Sequence, residues 1–175
     1  MMIDYLKIQN MRTFFRIVVL FAVMVGGISC SDDDKTEDLK PVLEVNYANV
    51  AGTWQLTEWN GEKMNDSRYY YIVLNRKEED GKRGYTIYTN LNSATSQRIT
   101  GAFLLEKDED KGDLISGTYD YQLSTDDAWS HEYIISDLYN ESMVWTAEDD
   151  PGEMRIYSRC EAVPADILAG TRAIR

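Results

Sequence analysis

The sequence has very few of the residues that build disulfide frameworks and metal sites. Among its 175 residues there are two cysteines, Cys30 and Cys160, and one histidine, His131. Two cysteines cannot form a disulfide framework, and His131 falls within no cysteine–histidine spacing typical of a zinc site. The fold must therefore be stabilised by side-chain packing, and we predict neither a metal ion nor another cofactor.

Basic residues are also scarce. The chain has 18 Lys and Arg against 30 Asp and Glu, which gives a formal net charge of −12. An acidic surface repels phosphate backbones and anionic lipid headgroups, so we expect no nucleic-acid partner and no electrostatic docking on membranes. Asp108 and Asp110 fit two positions of a calcium loop, but Gly112 then occupies a ligand position. Solubility is the simplest interpretation of the acidity.

One uninterrupted apolar run lies near the N-terminus, at residues 17–25 (IVVLFAVMV), directly after Arg12 and Arg16. It is too short to span a bilayer, which takes about 20 residues. A basic start, a short apolar stretch and small residues before the cleavage point describe a secretory signal. We predict that residues 1–29 are a signal peptide. Met11 is the predicted true start, because MRTFFR places the basic residues next to the apolar run.

The segment at residues 27–30 (GISC) resembles the lipobox of bacterial lipoproteins, although Gly27 stands where Leu is usual. The resemblance implies cleavage before Cys30, a diacylglycerol thioether on its sulfur, and a lipid-anchored protein of the outer membrane. Cys160 then has no intrachain partner, and we interpret it as a half-buried small hydrophobic residue.

The residues after the cysteine are strongly acidic. Ser31, Asp32, Asp33 and Asp34 resemble the export tag that carries some Gram-negative lipoproteins to the cell surface; the alternative is an ordinary charged tether. The stretch at 31–40 (SDDDKTEDLK) cannot bury apolar surface. Residues 30–45 are therefore predicted to be the lipidated cysteine and a flexible acidic linker.

From Gly52 onward the apolar residues alternate with period two, which indicates strands. Tyr, Ile, Val, Thr and Trp are frequent in them, and the gaps carry turn pairs such as Asp80-Gly81 and Pro151-Gly152. Eight strands are predicted: Gly52–Trp59, Tyr69–Asn75, Gly84–Asn90, Arg98–Glu106, Asp113–Gln122, His131–Asp137, Ser142–Ala147 and Glu153–Arg159.

Strands joined by short hairpins form a meander, and a meander of eight removes its exposed edges by closing on itself. We predict an all-β domain, an eight-stranded antiparallel up-and-down barrel over residues 46–160. The tail at 161–175 contains one helical candidate, Pro164–Gly170, which begins with Pro and ends at Gly. It is expected to pack outside the barrel or to fray.

The first strand opens with Gly52-Thr53-Trp54, and the last predicted strand ends in Arg159. Over residues 46–160 this pattern resembles the lipocalins and the small bacterial lipocalin-like lipoproteins. The resemblance implies that Gly52, Trp54 and Arg159 close one end of the barrel, with the cation laid across the indole; Arg155 is the second candidate for that role. The chain lacks the paired cysteines of many secreted lipocalins, so the broader calycin-like description fits better.

The sequence offers no recognisable catalytic constellation. It contains no Gly-x-Ser-x-Gly elbow, no phosphate loop and no His-Glu-x-x-His, and most carboxylates fall in predicted turns. We therefore predict that the chain is not an enzyme.

Aromatic residues point instead to binding, since the chain has 12 Tyr, 4 Trp and 4 Phe. Tyr suits amphipathic ligands, and we predict that Tyr119, Tyr121, Trp129 and Tyr133 contact a small apolar or amphipathic ligand at the open end. The alternative is a structural or interaction subunit of a cell-envelope complex, with a protein or glycan partner. Eight strands leave room for one small ligand or none. An open apolar lumen would favour the ligand carrier, whereas a filled lumen with an exposed aromatic patch would favour a protein or glycan partner.

Overall fold

Eight antiparallel strands close into a barrel in the computed structural model, which describes residues 40–65, 67–121 and 127–172. The predicted signal peptide, Cys30 and the tag at 31–34 lie outside the described residues. The strands are β1 (Gly52–Trp59), β2 (Glu62–Lys63), β3 (Tyr70–Leu74), β4 (Arg83–Thr89), β5 (Gln97–Asp108), β6 (Gly112–Tyr119), β7 (Tyr133–Ser136), β8 (Ser142–Ala147) and β9 (Met154–Cys160).

The pairing follows chain order from β3 to β9, and β1 closes the ring between β3 and β9. The predicted eight-stranded up-and-down barrel is therefore confirmed, with the two-residue β2 as an additional strand. The β1–β3 ladder ends at Gln55 and Tyr71, whereas β1 continues to Trp59 along β9 and then turns back into β2. This corner of the barrel is consequently less fully paired than the rest.

The barrel interior is packed with the apolar residues that alternate along each strand. One continuous core contains Trp54 and Leu56 of β1 together with side chains from every long strand. Alternation predicts this arrangement, because successive side chains of a strand point to opposite faces. The other buried members of this core are Val50, Ile72, Leu74, Tyr85, Ile87, Phe103, Ile115, Tyr133, Ile135, Leu138, Met143, Trp145, Ala147 and Tyr157.

A short helix, α1 (Tyr47–Val50), packs against the end of the barrel where β1 begins. The Asn46 side chain caps it by accepting hydrogen bonds from the amides of Ala48 and Asn49 at 3.0 Å. The Tyr47 ring lies 5.7 Å from that of Phe103. The sequence did not predict α1, because four residues are too few to show a helical period.

The C-terminal segment packs on the outside of the barrel. Its helix α2 (Ala165–Leu168) is shorter than the predicted Pro164–Gly170 and buries Ile167 against Tyr69 and Tyr71, whose side chains face outward from the start of β3. Packing outside the barrel is what the sequence predicted for this helix. Cys160 is half-buried against the same cluster, as expected, and burial raises the pKa of its thiol.

Candidate binding site at the open end

One end of the barrel is closed by Trp54 and Arg159. Trp54 is fully buried, and the Arg159 guanidinium carbon lies 3.9 Å from the centroid of its indole ring, as the resemblance implied. The Trp54 indole Nε1 donates to the Val50 carbonyl at 2.8 Å, and Arg159 donates to the carbonyls of Asn49, Ala51 and Asn140 at 2.6–2.7 Å. Any opening of the barrel must therefore lie at the other end.

Gly52 is required at this closed end. Its φ is +137°, and a Cβ atom there would lie 2.3 Å from the Arg159 side chain. Only glycine combines this backbone conformation with so close an approach. The Gly-x-Trp pattern thus has a physical basis in this chain.

The interior is filled by stacked aromatic side chains. Ring centroids lie 4.8 Å apart for Trp145 and Tyr157, 5.6 Å for Tyr133 and Trp145, and 5.7 Å for Trp129 and Trp145. A cavity of about 60 Å³ remains, which holds about two water molecules. It is lined by Tyr70, Ile87, Tyr119, Trp129, Ser130, Tyr133, Trp145 and Arg155. The lumen is therefore too small for a typical organic ligand, which needs about 300 Å³ or more.

Trp129 fills the interior from the connection between β6 and β7. Its indole Nε1 donates to the Tyr85 hydroxyl at 2.9 Å, and that hydroxyl donates to the Thr118 carbonyl at 3.2 Å. The ring lies on Gly117, where a Cβ atom would be 2.2 Å from the indole. The Trp129 amide also donates to the Gly117 carbonyl at 2.8 Å, so backbone and side chain hold the ring in place together.

Arg155 lies near the open end, and its side chain is only 18% exposed. It pairs with Glu153 at 2.7 Å and lies over the rings of Tyr133 and Trp59, at 4.8 and 5.3 Å from their centroids. The Trp59 indole Nε1 donates to the Glu153 carboxylate at 2.8–2.9 Å. The positive charge in the barrel is therefore compensated by Glu153.

This network sets the ionisation of the buried groups. Burial opposes the charged form of Glu153, but hydrogen bonds from Trp59, Arg155 and Asn60 outweigh it and lower the pKa of the carboxyl. Burial raises the pKa of the Tyr70 and Tyr157 hydroxyls. Glu153 is thus ionised at neutral pH, and the two tyrosines are neutral.

The predicted ligand residues are only partly brought together. Tyr119, Trp129 and Tyr133 all face the interior and line the same small cavity. Tyr121 does not join them, because β6 ends at Tyr119 and the Tyr121 side chain is 76% exposed. The prediction extended the alternation beyond the end of the strand, and the inward face became known only from the structure.

Sequence reasoning missed a cleft at the open end, which we name the mouth cleft. It has a volume of about 430 Å³ and is lined by Trp59, Asn60, Glu62, Lys63, Met64, Asn65, Arg68 and Leu91. Its apolar part is made by Trp59, Met64 and Leu91, all half-buried against the core. Met64 and Leu91 lie in loops, where no period marks a residue as part of a site.

Comparison of the chain with models of known protein families, with curated proteins and with solved structures found no match. Within residues 40–65, 67–121 and 127–172, no cluster of three or more His, Cys, Asp or Glu side chains is arranged to hold a metal ion. No helix in this part of the chain is both long and apolar enough to cross a membrane.

Proposed function

We propose that this chain is a lipid-anchored outer-membrane protein, displayed at the cell surface, whose barrel is a non-catalytic binding module. Its ligand is a small apolar or amphipathic molecule that lies across the open end of the barrel. The observation that carries this proposal is the mouth cleft, whose volume of about 430 Å³ lies within the range typical of small-molecule sites. The cavity of about 60 Å³ inside the barrel does not offer such a site.

The chemistry of the mouth cleft supports an amphipathic ligand. Trp59, Met64 and Leu91 offer apolar surface, and Asn60 lies beside them with polar groups. Trp59 is held by its hydrogen bonds to Glu153 and by the Arg155 guanidinium over its ring. An aromatic wall that is already fixed loses little conformational freedom on binding, which favours affinity.

The position of the tether supports capture of a molecule from outside the cell. The described chain begins at Lys40, which pairs with Glu141 at 2.9 Å, and the Leu43 amide donates to the Leu138 carbonyl at 2.7 Å. These contacts lie at the closed end, beside Trp54 and Arg159. A tether that enters at Lys40 would therefore join the barrel at its closed end, the end opposite the mouth cleft.

The filled interior favours a second candidate, an interaction subunit of a cell-envelope complex. Four large hydrophobic side chains are strongly exposed on the described surface: Tyr121 at 76%, Val42 at 64%, Leu104 at 55% and Leu168 at 54%. Exposed aromatic side chains are frequent in protein interfaces. This candidate predicts a stable protein partner and no saturable binding of small amphiphiles.

A binding experiment separates the two candidates. The full lipidated chain in zwitterionic nanodiscs is titrated with decanoate, lysophosphatidylcholine and cholate, with empty nanodiscs as the blank, and Trp fluorescence is followed. We expect saturable quenching by at least one probe, and Leu91→Asn should weaken its affinity about tenfold by removing apolar contact surface.

The matched control is Leu104→Asn, which makes the same change on an exposed side chain of β5 outside the mouth cleft. It should bind like the wild type, and circular dichroism should show that both variants are folded at the temperature of the titration. Absence of saturable quenching with all three probes would contradict the ligand proposal and leave the interaction subunit as the function.

A further inference from the structure

A second groove runs along the outer wall of the barrel, next to the incompletely paired corner of β1 and β3. We name it the wall groove. It has a volume of about 480 Å³ and is lined by Gln55, Thr57, Lys63, Met64, Asn65, Arg68, Tyr69 and Arg172. These residues include three basic side chains and no carboxylate, in a chain whose formal net charge is −12. The sign of the charge in the wall groove is thus opposite to that of the molecule.

The groove exists because β1 and β3 separate. Their ladder ends at Gln55 and Tyr71, and β1 goes on to form a hairpin with β2, in which Glu58 faces Lys63 and Trp59 faces Glu62. Tyr69 forms a firm floor, since it is 3% exposed and packs with Tyr71 and the α2 segment. A groove with a fixed floor is suited to binding, because little has to be ordered when a ligand enters.

Positive charge in the wall groove is only partly compensated. Arg68 donates to the backbone carbonyls of Asn90 and Leu91, which are neutral acceptors and leave its charge in place. Lys63 is exposed and forms no ion pair within the part of the chain that the structure describes. Arg172 pairs with Asp166 at 2.6 Å, so its charge is balanced. Among the described residues, Lys63 and Arg68 are therefore the two cations of the groove that form no ion pair.

Apart from Met64 and the Tyr69 floor, the uncharged side chains of the groove are hydrophilic. Gln55 and Asn65 carry side-chain amides and Thr57 a hydroxyl, groups that match the hydroxyls of a sugar. Cations match carboxylate or sulfate groups, whereas a long acyl chain would leave these amides without partners. We infer that the wall groove is a second binding site, for a short oligosaccharide that carries carboxylate or sulfate groups. The wall groove adjoins the mouth cleft and shares Lys63, Met64, Asn65 and Arg68 with it, whereas Leu91 lines only the mouth cleft and Gln55 only the wall groove.

The test uses the full lipidated chain in zwitterionic nanodiscs and titrates it calorimetrically with tetragalacturonate. The fully methyl-esterified tetrasaccharide is the matched probe, because it keeps the sugar backbone and removes the charge. We expect the acid to bind about tenfold more tightly than the ester. Its affinity should decrease when NaCl is raised from about 50 to about 200 mM, because salt screens exposed charges.

Two variants locate the site. Lys63→Gln should weaken tetragalacturonate binding by about fivefold, as expected for loss of one exposed charge contact. Lys77→Gln removes the same charge from the exposed connection between β3 and β4, at the closed end, and should have no effect. Leu91→Asn, which alters the mouth cleft, should leave tetragalacturonate binding unchanged, so failure of one site is distinguishable from failure of the other.

Several outcomes would overturn the inference. The inference is wrong if neither probe binds or if the acid and the ester bind equally. It is also wrong if Lys63→Gln and Lys77→Gln weaken binding to the same extent. Inorganic phosphate that displaces tetragalacturonate at equal concentration would show a site for anions without a preference for sugars. Retention on phosphatidylglycerol vesicles that depends on Lys63, with no oligosaccharide binding, would assign the groove to a lipid headgroup instead.

Discussion

Two arginines of β9 perform the same physical task at opposite ends of the barrel. Arg159 lies over Trp54 at the closed end and Arg155 over Trp59 at the open end, and each pair consists of direct cross-strand neighbours. Trp54 and Trp59 are five residues apart and would face opposite sides of a regular strand. The bulge between Leu56 and Glu58 shifts the alternation, so both indoles can meet β9 arginines.

Trp54 should dominate the stability of the closed end. Trp54→Ala removes a fully buried indole, and such truncations cost about 3–5 kcal/mol in the free energy of unfolding. Urea unfolding followed by circular dichroism measures the loss. Tyr121→Ala is the control, because that ring is 76% exposed and should change stability by less than about 0.5 kcal/mol. Equal stability of the two variants would contradict the role of Trp54 in closure.

Glu153 should give the barrel part of its acid sensitivity. The pKa of its carboxyl in the folded state is lowered from the ordinary 4.5. The unfolded chain therefore binds the proton first, and the stabilisation is complete above about pH 5.5 and is lost as the pH falls through the folded pKa. Glu153→Gln should destabilise the protein by about 1.5–3 kcal/mol at pH 7, the range for hydrogen bonds to charged groups.

The measurement is urea unfolding of wild type and Glu153→Gln at pH values from 7 to 3. The difference in unfolding free energy between them should shrink as the pH falls, because the wild-type carboxyl becomes protonated and then resembles the amide. A difference that stays constant over this range would contradict the ionised pair with Arg155.

At the scale of the elements, the sequence predicted strands well and short pieces poorly. Period-two alternation located all eight barrel strands, since each half-buried strand shows one apolar face. The limits failed around residues 120–132, where alternation continued to Gln122 and began again at His131, although β6 ends at Tyr119 and β7 begins at Tyr133. The β2 strand has two residues and was missed for the same reason as α1, since neither is long enough to show a period.

The contact between β6 and the β6–β7 connection can be tested at Gly117. A Cβ atom there would lie 2.2–2.5 Å from the Trp129 ring, so Gly117→Ala must displace the indole from the interior. We expect a loss of about 1–3 kcal/mol in unfolding free energy, typical of overpacking, and a red shift of Trp fluorescence as the ring becomes exposed.

Gly84→Ala is the matched control in β4. The nearest atom to its added Cβ would be the Asn75 side-chain nitrogen at 3.1 Å, the end of a side chain that can move. Its fluorescence should be unchanged. The same spectrum for both variants would show that Trp129 does not fill the interior as described.

For the whole molecule, sequence reasoning reached the barrel and its closed end but not the place where a ligand fits. The closed end is specified by Gly52, Trp54 and Arg159, which mark it in the sequence. The filling of the lumen depends on Trp129, which enters from a connection, and the mouth cleft depends on Met64 and Leu91 from loops. Such contacts join residues distant in sequence, and no local pattern reports them.

The N-terminal segment should determine where the molecule is held. The formal net charge of −12 opposes electrostatic attraction to anionic membranes, so the proposed membrane association requires the lipid on Cys30. Each buried CH₂ group of an acyl chain contributes about 0.8 kcal/mol to membrane binding. Cys30→Ala should therefore abolish labelling with radioactive palmitate and release the protein from membrane fractions at high salt. A variant that stays in the membrane fraction would contradict the anchor.

The acidic residues after Cys30 should act on surface display and leave lipidation intact. Replacing Asp32, Asp33 and Asp34 with Ala should preserve palmitate labelling but reduce access of protease and antibody to the protein on intact cells, because an export tag is read after the lipid is attached. The matched control replaces Asp108, Glu109 and Asp110, the three acids at the turn of the β5–β6 hairpin, and removes the same charge. It should remain accessible. Equal access for both triple variants would mean that residues 31–34 are only a charged tether.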